Sequence, residues 1–138
     1  NVIKVKKEEK VEIFSPKGIY YSDPFTLSTG SPGEPPTDYK RMYLYIDEYN
    51  QTYIFHSSKN ANKVISKFMK DPKKWTEETG KIEFSDGAVY MKSQGQFRYD
   101  ASYRYYGELI SKNSIYLDYK ATQSSKVALS IYLHKYAK

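Results

Sequence analysis

The sequence contains no cysteine, one tryptophan and only two histidines among its 138 residues. The absence of cysteine excludes disulfide bonds, a thiol nucleophile and thiolate ligands for a metal. The two histidines, His56 and His134, would need carboxylates to complete a metal site, and nothing in the spacing of the sequence predicts one. We therefore interpret both as ordinary strand residues and expect neither a metal nor a cofactor.

Long apolar runs are also missing, and so are the signatures of common catalytic sites. No stretch is long and apolar enough to cross a bilayer as a helix. The seven glycines are dispersed at predicted turns, so the sequence has no glycine-rich phosphate loop. No nucleophile elbow marks a reactive serine. We therefore predict that the protein is not an enzyme and expect no catalytic residues.

The charge balance is basic, because 22 lysines and arginines face 16 aspartates and glutamates and give a net charge of +6. Such a balance permits an anionic partner, for example a membrane surface, a cell-wall polymer or a nucleic acid. A lysine-rich solvated surface is the interpretation that we favour. The chain begins at Asn1 and not at methionine, which predicts a processed N-terminus, left by removal of a signal segment or by an artificial boundary.

Tyrosine is abundant: the chain has 16 tyrosines and six phenylalanines. Tyrosine favours half-buried strand positions, so the composition favours β structure. Apolar and polar residues alternate along several segments, as they do when successive side chains point to opposite faces of a sheet. Near the C-terminus one face carries Val127, Leu129, Ile131 and Leu133. Between residues 41 and 46 the two alternating sets are Met42, Leu44 and Ile46 against Arg41, Tyr43 and Tyr45. The alternation does not say which set faces the core.

Residues 57–71 are predicted to form the one helix. Ser58 or Asn60 can cap its N-terminus, and Pro72 ends it. Its predicted apolar face consists of Val64, Ile65, Phe68 and Met69. The helix could then serve as a plug of the barrel or as part of its wall. Trp75 follows and is expected to pack the helix end against the sheet.

Turn residues divide the rest of the chain. Asp86-Gly87 supplies the positive φ angles of a two-residue hairpin turn. Residues 23–38 contain four of the six prolines, so we predict a loop there, either a lid or binding loop or a passive insertion. Gln94-Gly-Gln96 predicts a bulge or bend before the last three strands.

These segments add up to about eight strands and one helix, without a strand–helix–strand repeat. That pattern predicts an all-β protein, and we favour an antiparallel eight-stranded β-barrel over a sandwich because closure removes the sheet edges. Residues 1–12 are almost all charged and are predicted to be a tether, with an edge strand as the alternative. Residues 13–138 are predicted to form a single barrel domain.

Three segments resemble the lipocalin-like, or calycin, barrels. Gly18-Ile-Tyr20 stands where that family has its Gly-x-Trp motif near the first strand. Gly107–Leu117, followed by Ile131–Lys135, is similar to the closing strands of small bacterial lipocalin-like lipoproteins. The resemblance implies a β-barrel in a secreted or membrane-anchored bacterial protein, with its anchor on a removed N-terminal segment. It implies ligand binding and brings no catalytic residues.

The strand tyrosines are the main functional signal. A tyrosine can fill a barrel, line an amphipathic cavity or provide a stacking platform beside cations. We predict a non-catalytic, extracytoplasmic protein that binds a small amphipathic or hydrophobic ligand inside a tyrosine-rich barrel. The predicted ligand-binding residues are Tyr43, Tyr45, Tyr53, Tyr90, Tyr105, Tyr116 and Tyr132. The alternatives are a structural or protein-interaction module with a filled barrel and, third, a binder of single-stranded nucleic acid or an anionic polymer, for which nucleic acid is the less favoured partner.

Overall fold

A computed structural model of the chain describes residues 3–7, 10–26, 39–95, 102–121 and 129–136. These residues form eleven strands and one helix. The strands are β1 (Ile3–Lys7), β2 (Lys10–Phe14), β3 (Gly18–Ser22), β4 (Phe25–Thr26), β5 (Tyr39–Ile46), β6 (Gln51–Ser57), β7 (Glu78–Ser85), β8 (Ala88–Gly95), β9 (Ser102–Ser111), β10 (Ser114–Ala121) and β11 (Leu129–Lys135), and the helix is α1 (Ala61–Lys70).

Eight strands close into an antiparallel barrel, in the order β3, β5, β6, β7, β8, β9, β10, β11 and back to β3. The predicted all-β barrel with one helix is confirmed. Neighbours in sequence are neighbours in the sheet from β5 to β11, because short turns join antiparallel strands directly. One of these turns is the predicted hairpin turn, in which Asp86 has φ 48° and Gly87 has φ 85°.

The aliphatic set of each alternating strand faces the barrel interior. On β5, Met42, Leu44 and Ile46 are buried inside, whereas Tyr43 and Tyr45 lie on the outer face. On β11, Ile131 and Leu133 face inward and Tyr132 is exposed. The interior is one continuous cluster of buried side chains, namely Phe14, Tyr20, Met42, Leu44, Ile46, Ile54, Ile82, Val89, Met91, Tyr105, Leu109, Ile115, Leu117, Ile131 and Leu133.

Phe14 helps to close one end of this interior. Its fully buried ring lies 5.3 Å from the ring of Phe84 and 6.4 Å from that of Tyr20. The Lys135 ammonium lies over both Phe14 and Tyr20, 5.8 Å from each ring centroid. Both contacts join residues near the N-terminus to the last strand. The Tyr20 hydroxyl donates to the carbonyl oxygen of Pro16 over 2.6 Å, which satisfies that buried polar group.

The N-terminal segment differs from the predicted tether. β1 and β2 pair as an antiparallel hairpin, in which Ile3 lies opposite Phe14. Ile3 is half-buried and packs against the barrel core. The physical reason is that the apolar ends of the two strands have a core to join, so a segment rich in charge is still held as a β-hairpin.

The helix packs against the outside of the barrel wall and does not enter the interior as a plug. Asn60 caps it, as predicted, and its side chain accepts a hydrogen bond from the Asn62 backbone N–H over 2.9 Å. Val64, Ile65 and Phe68 are buried against the outer face of β5 and β6. The Phe68 ring meets the Phe55 ring edge-on at 4.7 Å, and Phe55 stacks on Tyr43 at 4.9 Å.

Part of the predicted proline-rich loop is a strand. Phe25 and Thr26 form β4, which pairs with Lys40 and Tyr39 at the start of β5. The remainder of that prediction, residues 27–38, lies outside the described residues, as do Val127, Gln96 and residues 122–128. Within the described ranges, no helix is long and apolar enough to cross a membrane.

Two buried tyrosines give a matched pair of stability predictions. Tyr43 is fully buried, and its hydroxyl has no hydrogen-bond partner among the described residues. A buried hydroxyl without a partner costs about 1–3 kcal/mol. Tyr43→Phe is therefore expected to leave the free energy of unfolding unchanged or to raise it by up to about 1 kcal/mol. Tyr20→Phe loses the hydrogen bond to Pro16 and should lower the free energy of unfolding by roughly 1 kcal/mol. Urea unfolding of both variants measures the two changes in the free energy of unfolding. Equal losses in the two variants would contradict the partnered Tyr20 hydroxyl and the unpartnered Tyr43 hydroxyl.

Candidate functional site

The structure does not bring the seven predicted ligand-binding tyrosines together. Tyr105 faces the barrel interior, and the other six lie on the outer side of the barrel wall. Three of those six are buried or half-buried beside the helix, namely Tyr43, Tyr45 and Tyr53, and the other three lie further round the barrel, namely Tyr90, Tyr116 and Tyr132. The tyrosines pair with each other on the surface: Tyr45 with Tyr53 at 5.8 Å, and Tyr116 with Tyr132 at 4.8 Å between ring centroids.

This placement has a physical reason. An exposed or half-buried tyrosine on the outer face, such as Tyr45 or Tyr132, can pack its ring against its neighbours and keep its hydroxyl in water, whereas inside a narrow barrel the hydroxyl needs a partner. Tyr43 is the exception on the outer face, because the helix side covers it and its hydroxyl is buried. The interior tyrosines do have partners: Tyr20 donates to Pro16, and Tyr105 donates to Glu78 Oε1 over 3.1 Å. Most of the other buried interior side chains are aliphatic.

Glu78 is the buried carboxyl group of the barrel interior. It is 9% exposed, lies at the start of β7 and accepts the hydrogen bond from Tyr105. Burial raises the pKa of its carboxyl group, and the nearby His56 and the Tyr105 hydroxyl oppose that shift. Glu78 and Tyr105 thus form a buried polar contact within an interior that is otherwise mainly apolar.

A groove beside the helix combines apolar surface with positive charge. It has a volume of about 410 Å³ and lies between α1 and β6. Phe55 and Val64 are buried and form its floor, and Trp75 is 46% exposed at its side. Its rim carries three exposed lysines, Lys59, Lys63 and Lys67. The groove thus has an apolar floor and a positively charged rim.

The Glu77 carboxylate lies beside the groove and is held by His56. The Glu77 Oε1 atom accepts a hydrogen bond from the His56 backbone N–H over 2.5 Å and lies 3.7 Å from His56 Nδ1. The hydrogen bond from His56 holds the pKa of the Glu77 carboxyl group below its usual range. The Lys74 ammonium lies 5.7 Å from the Trp75 ring and adds a further cation.

Sequence analysis missed this groove. It predicted that Trp75 packs the helix end against the sheet, but nearly half of the side chain is exposed, because the turn after Pro72 places it beside the helix. It also interpreted the lysine-rich surface of the protein as merely solvated. A sole tryptophan that follows a lysine-rich amphipathic helix was the signal that could have indicated the groove.

The two histidines have ordinary carboxylate partners. His134 Nε2 lies 3.0 Å from Asp23 Oδ1 on the outer face of the barrel, and His56 contacts Glu77. In the ranges that the structure describes, no three histidine, aspartate or glutamate side chains come close enough to hold a metal ion.

The buried Glu78 predicts a pH-dependent stability. Its folded-state pKa lies above the unfolded value, so its contribution to stability is fully present below the unfolded pKa and is lost as pH rises through the folded pKa. Glu78→Gln keeps a hydrogen-bond acceptor and cannot ionise. The stability of Glu78→Gln relative to the parent protein is therefore expected to increase from about pH 4 towards pH 8. Thermal melts of both proteins across that range measure the difference, and a constant difference would contradict the buried placement.

Comparison with known proteins adds no assignment to this geometry. No family model matches the chain, and comparison with curated proteins and with solved structures gives no match either. The resemblance to lipocalin-like barrels therefore stays a prediction, while the eight-stranded barrel itself is seen directly. What can be said about function depends on the groove, the interior and the charged outer surface of this chain.

Proposed function

We propose that the protein is a non-catalytic binding protein and that its ligand, an anionic amphipathic molecule, binds in the groove between α1 and β6. The observation that carries the proposal is the composition of the groove: an exposed tryptophan and a buried apolar floor lie beneath three lysines. The predicted class of ligand is kept, and the proposed binding site lies on the outer side of the barrel and not in its interior.

The packing of the interior supports this location. Inward-facing side chains such as Leu44, Ile54 and Leu117 are completely buried and belong to one contiguous cluster. An eight-stranded barrel is just wide enough to be filled by side chains or to hold one small ligand. In this barrel, the buried interior side chains are mostly aliphatic, with Phe14, Tyr20 and Tyr105 among them, which supports filling by side chains.

The size and chemistry of the groove suit a small ligand with an apolar body and an acidic head. Ligand pockets usually have volumes of about 300–1,000 Å³ and are mainly apolar, with a few polar groups that fix orientation. The apolar body would lie on Phe55, Val64 and Trp75. The acidic head would lie near Lys63 and Lys67, which are one helical turn apart. Because exposed ion pairs contribute little, apolar contact would supply most of the affinity and the lysines would select the anionic head.

A protein-interaction module with a filled barrel is the second candidate. The observation in its favour is the exposure of Tyr90, Tyr106 and Tyr132 on the outer face, since tyrosine is enriched in the centres of protein interfaces. The extracytoplasmic location and the lipid anchor stay predictions, and neither proposal depends on them.

Trp75 makes the groove directly observable, because it is the one tryptophan of the chain. Titration with dodecanoate is expected to shift and change its fluorescence, while dodecanol, which has the same chain without the charge, should bind more weakly. Lys63→Glu/Lys67→Glu should weaken dodecanoate binding by about tenfold, the equivalent of roughly 1.4 kcal/mol. Lys70→Glu on the same helix is the control, because Lys70 does not line the groove. It changes the net charge by half as much as the double variant and should change the affinity by less than about twofold.

Two results would contradict the groove proposal. The first is dodecanoate binding that leaves Trp75 fluorescence unchanged. The second is a weakening of about threefold by Lys70→Glu, half of the free-energy change expected for the double variant, which would indicate only a response to net charge. Binding that responds to none of these lysine variants and is lost in barrel-interior variants would instead support the interior ligand site.

The filled interior has its own test in Leu117→Ala. Removing this buried side chain should lower the free energy of unfolding by about 2–5 kcal/mol and leave an apolar cavity. Such cavities stay dry and bind benzene. We expect benzene to raise the melting temperature of Leu117→Ala and not that of the parent protein. A benzene-dependent increase in the parent protein would reveal a pre-existing interior cavity and overturn the filled-barrel interpretation.

A further inference from the structure

The outer faces of β9, β10 and β11 share a compact block of tyrosines and carboxylates, which we call the tyrosine–carboxylate face. Its first row is Glu108, Tyr116 and Tyr132, and its second row is Tyr106, Asp118 and Ser130. Within a row, each residue lies directly opposite the next one on the neighbouring strand, so their Cβ atoms are about 5 Å apart. Tyr116 and Asp118 are half-buried, and the other four side chains are exposed. Three aromatic rings and two carboxylates thus meet solvent within a strip about 10 Å wide.

Neither carboxylate of the face has a cation opposite it. Glu108 lies between Ala88 on β8 and Tyr116 on β10. Asp118 lies between a tyrosine of β9 and Ser130 of β11. Opposite charges on neighbouring strands stabilise a sheet, and the chain has 22 lysines and arginines that could supply them. Glu108 takes part in none of the ion pairs of the described ranges. The sheet therefore presents a negative charge here for which its own strands provide no opposite cation.

Hydrogen bonds hold the Asp118 carboxylate in place without cancelling its charge. Its Oδ1 atom accepts hydrogen bonds from the Tyr116 hydroxyl over 2.5 Å and from the Ser130 hydroxyl over 2.8 Å. The bond from Tyr116, then the bond from Ser130 and the charge of Lys120, lower the pKa of the Asp118 carboxyl group. Both donors are neutral, and within the described residues both bonds use Oδ1. The Oδ2 atom can therefore accept a hydrogen bond from a partner.

Cations border the face on one side only. Lys92, Arg104 and Lys120 form the next outward row beyond the second row of the face. The Lys120 ammonium lies 5.6 Å from the Tyr106 ring centroid. Glu108 is four residues away from this border along β9, which is about 13 Å. That distance exceeds the Debye length of about 8 Å at physiological salt, so the first row of the face is the more negative one.

The rings on the opposite side of the face are open to a partner. The Tyr116 and Tyr132 ring centroids are 4.8 Å apart, and Tyr132 is 52% exposed. Asp23 lies beside Tyr132, because its backbone N–H donates to the Tyr132 carbonyl oxygen over 3.2 Å. The Asp23 carboxylate lies 3.0 Å from His134 Nε2. An exposed tyrosine ring beside carboxylates can bind a cation over its face.

We propose that the tyrosine–carboxylate face binds an extended, arginine-containing segment of a partner protein. Charge complementarity identifies the partner as a cation. Arginine fits better than lysine, because its planar guanidinium group stacks on aromatic rings and pairs with a carboxylate through two donors. Glu108 and Asp118 lie on a diagonal of the sheet, about 7 Å apart at Cβ. Residues two positions apart in an extended segment are separated by about the same distance, so two arginines that flank one residue can reach both carboxylates.

The tyrosines favour a protein partner, and the location of the face keeps this inference separate from the groove. Tyrosine is enriched among the residues that dominate the affinity of protein interfaces. The face therefore names a class of partner for the protein-interaction candidate. It lies on β9 to β11, whereas the groove lies between α1 and β6, so this inference does not rest on ligand binding in the groove.

A fluorescein-labelled peptide of five Arg-Gly repeats tests the proposal at physiological salt. Its anisotropy should show saturable binding to the parent protein, although both molecules carry a net positive charge. Glu108→Gln/Asp118→Asn should weaken this binding by about tenfold, the effect of losing two exposed ion pairs. The matched control is Glu48→Gln/Asp71→Asn, which removes two exposed carboxylates at the β5–β6 turn and at the end of the helix. It makes the same change of net charge and should alter the affinity by less than about twofold.

Two variants of Tyr132 test the contact with its ring. Tyr132→Phe keeps the ring and should bind the peptide within about twofold of the parent protein. Tyr132→Ala should weaken binding by about three- to fivefold, as expected for an exposed contact between a cation and a ring. Both variants should melt within about 3 °C of the parent protein, because the side chain lies outside the core. An equal loss of affinity in both variants would contradict the ring contact.

Several results would overturn the proposal. One is the absence of peptide binding to the parent protein, and another is equal weakening by the two double variants, which would indicate only a response to net charge. Self-association of the parent protein that Glu108→Gln/Asp118→Asn abolishes would assign the face to a second copy of this chain. Tighter binding of a Glu-Gly peptide of equal length would assign the partner to the lysine-rich surfaces instead. Dodecanoate titration of Trp75 in Glu108→Gln/Asp118→Asn should match the parent protein, which separates a failure of this proposal from a failure of the groove.

Discussion

Closure of the barrel through β3 is the constraint on which the rest of the structure depends. This strand of five residues pairs with β5 on one side and with β11 on the other, so it joins the first part of the sheet to the last. Closure removes the unpaired edges of the sheet and gives every strand one inner and one outer face. The inner face of this barrel carries mainly aliphatic side chains, and the groove beside the helix lies on the outer face.

The outer face carries two different kinds of surface. Beside the helix, an apolar floor, one tryptophan and lysines make a small groove. Further round the wall, the strand register aligns cations without an apolar floor. Both surfaces carry lysines, and they differ in the apolar floor that the groove has.

Much of the fold could be predicted from the sequence, because its signals are local. Strand alternation, the Asp86-Gly87 turn and the Asn60 cap each depend on residues close in the chain. The placement of Tyr43 and Tyr45 could not be predicted, because a period of two defines two faces and does not say which one the closed barrel will bury. The alignment of Lys81, Lys92, Arg104 and Lys120 across β7 to β10 escaped prediction for a related reason. These residues are distant in sequence, and only the register of four strands aligns them.

The order in which the chain is made gives barrel closure a kinetic consequence. β3 is the first strand of the barrel and β11 is the last, and the contact between Asp23 and His134 spans 111 residues. Such non-local pairing folds slowly, commonly in milliseconds to seconds. On a ribosome, β3 and β5 would each be made long before closure, and the edge of β3 that pairs with β11 would stay unpaired until β11 has been made. A newly made chain is therefore most prone to aggregate in the interval before β11 emerges.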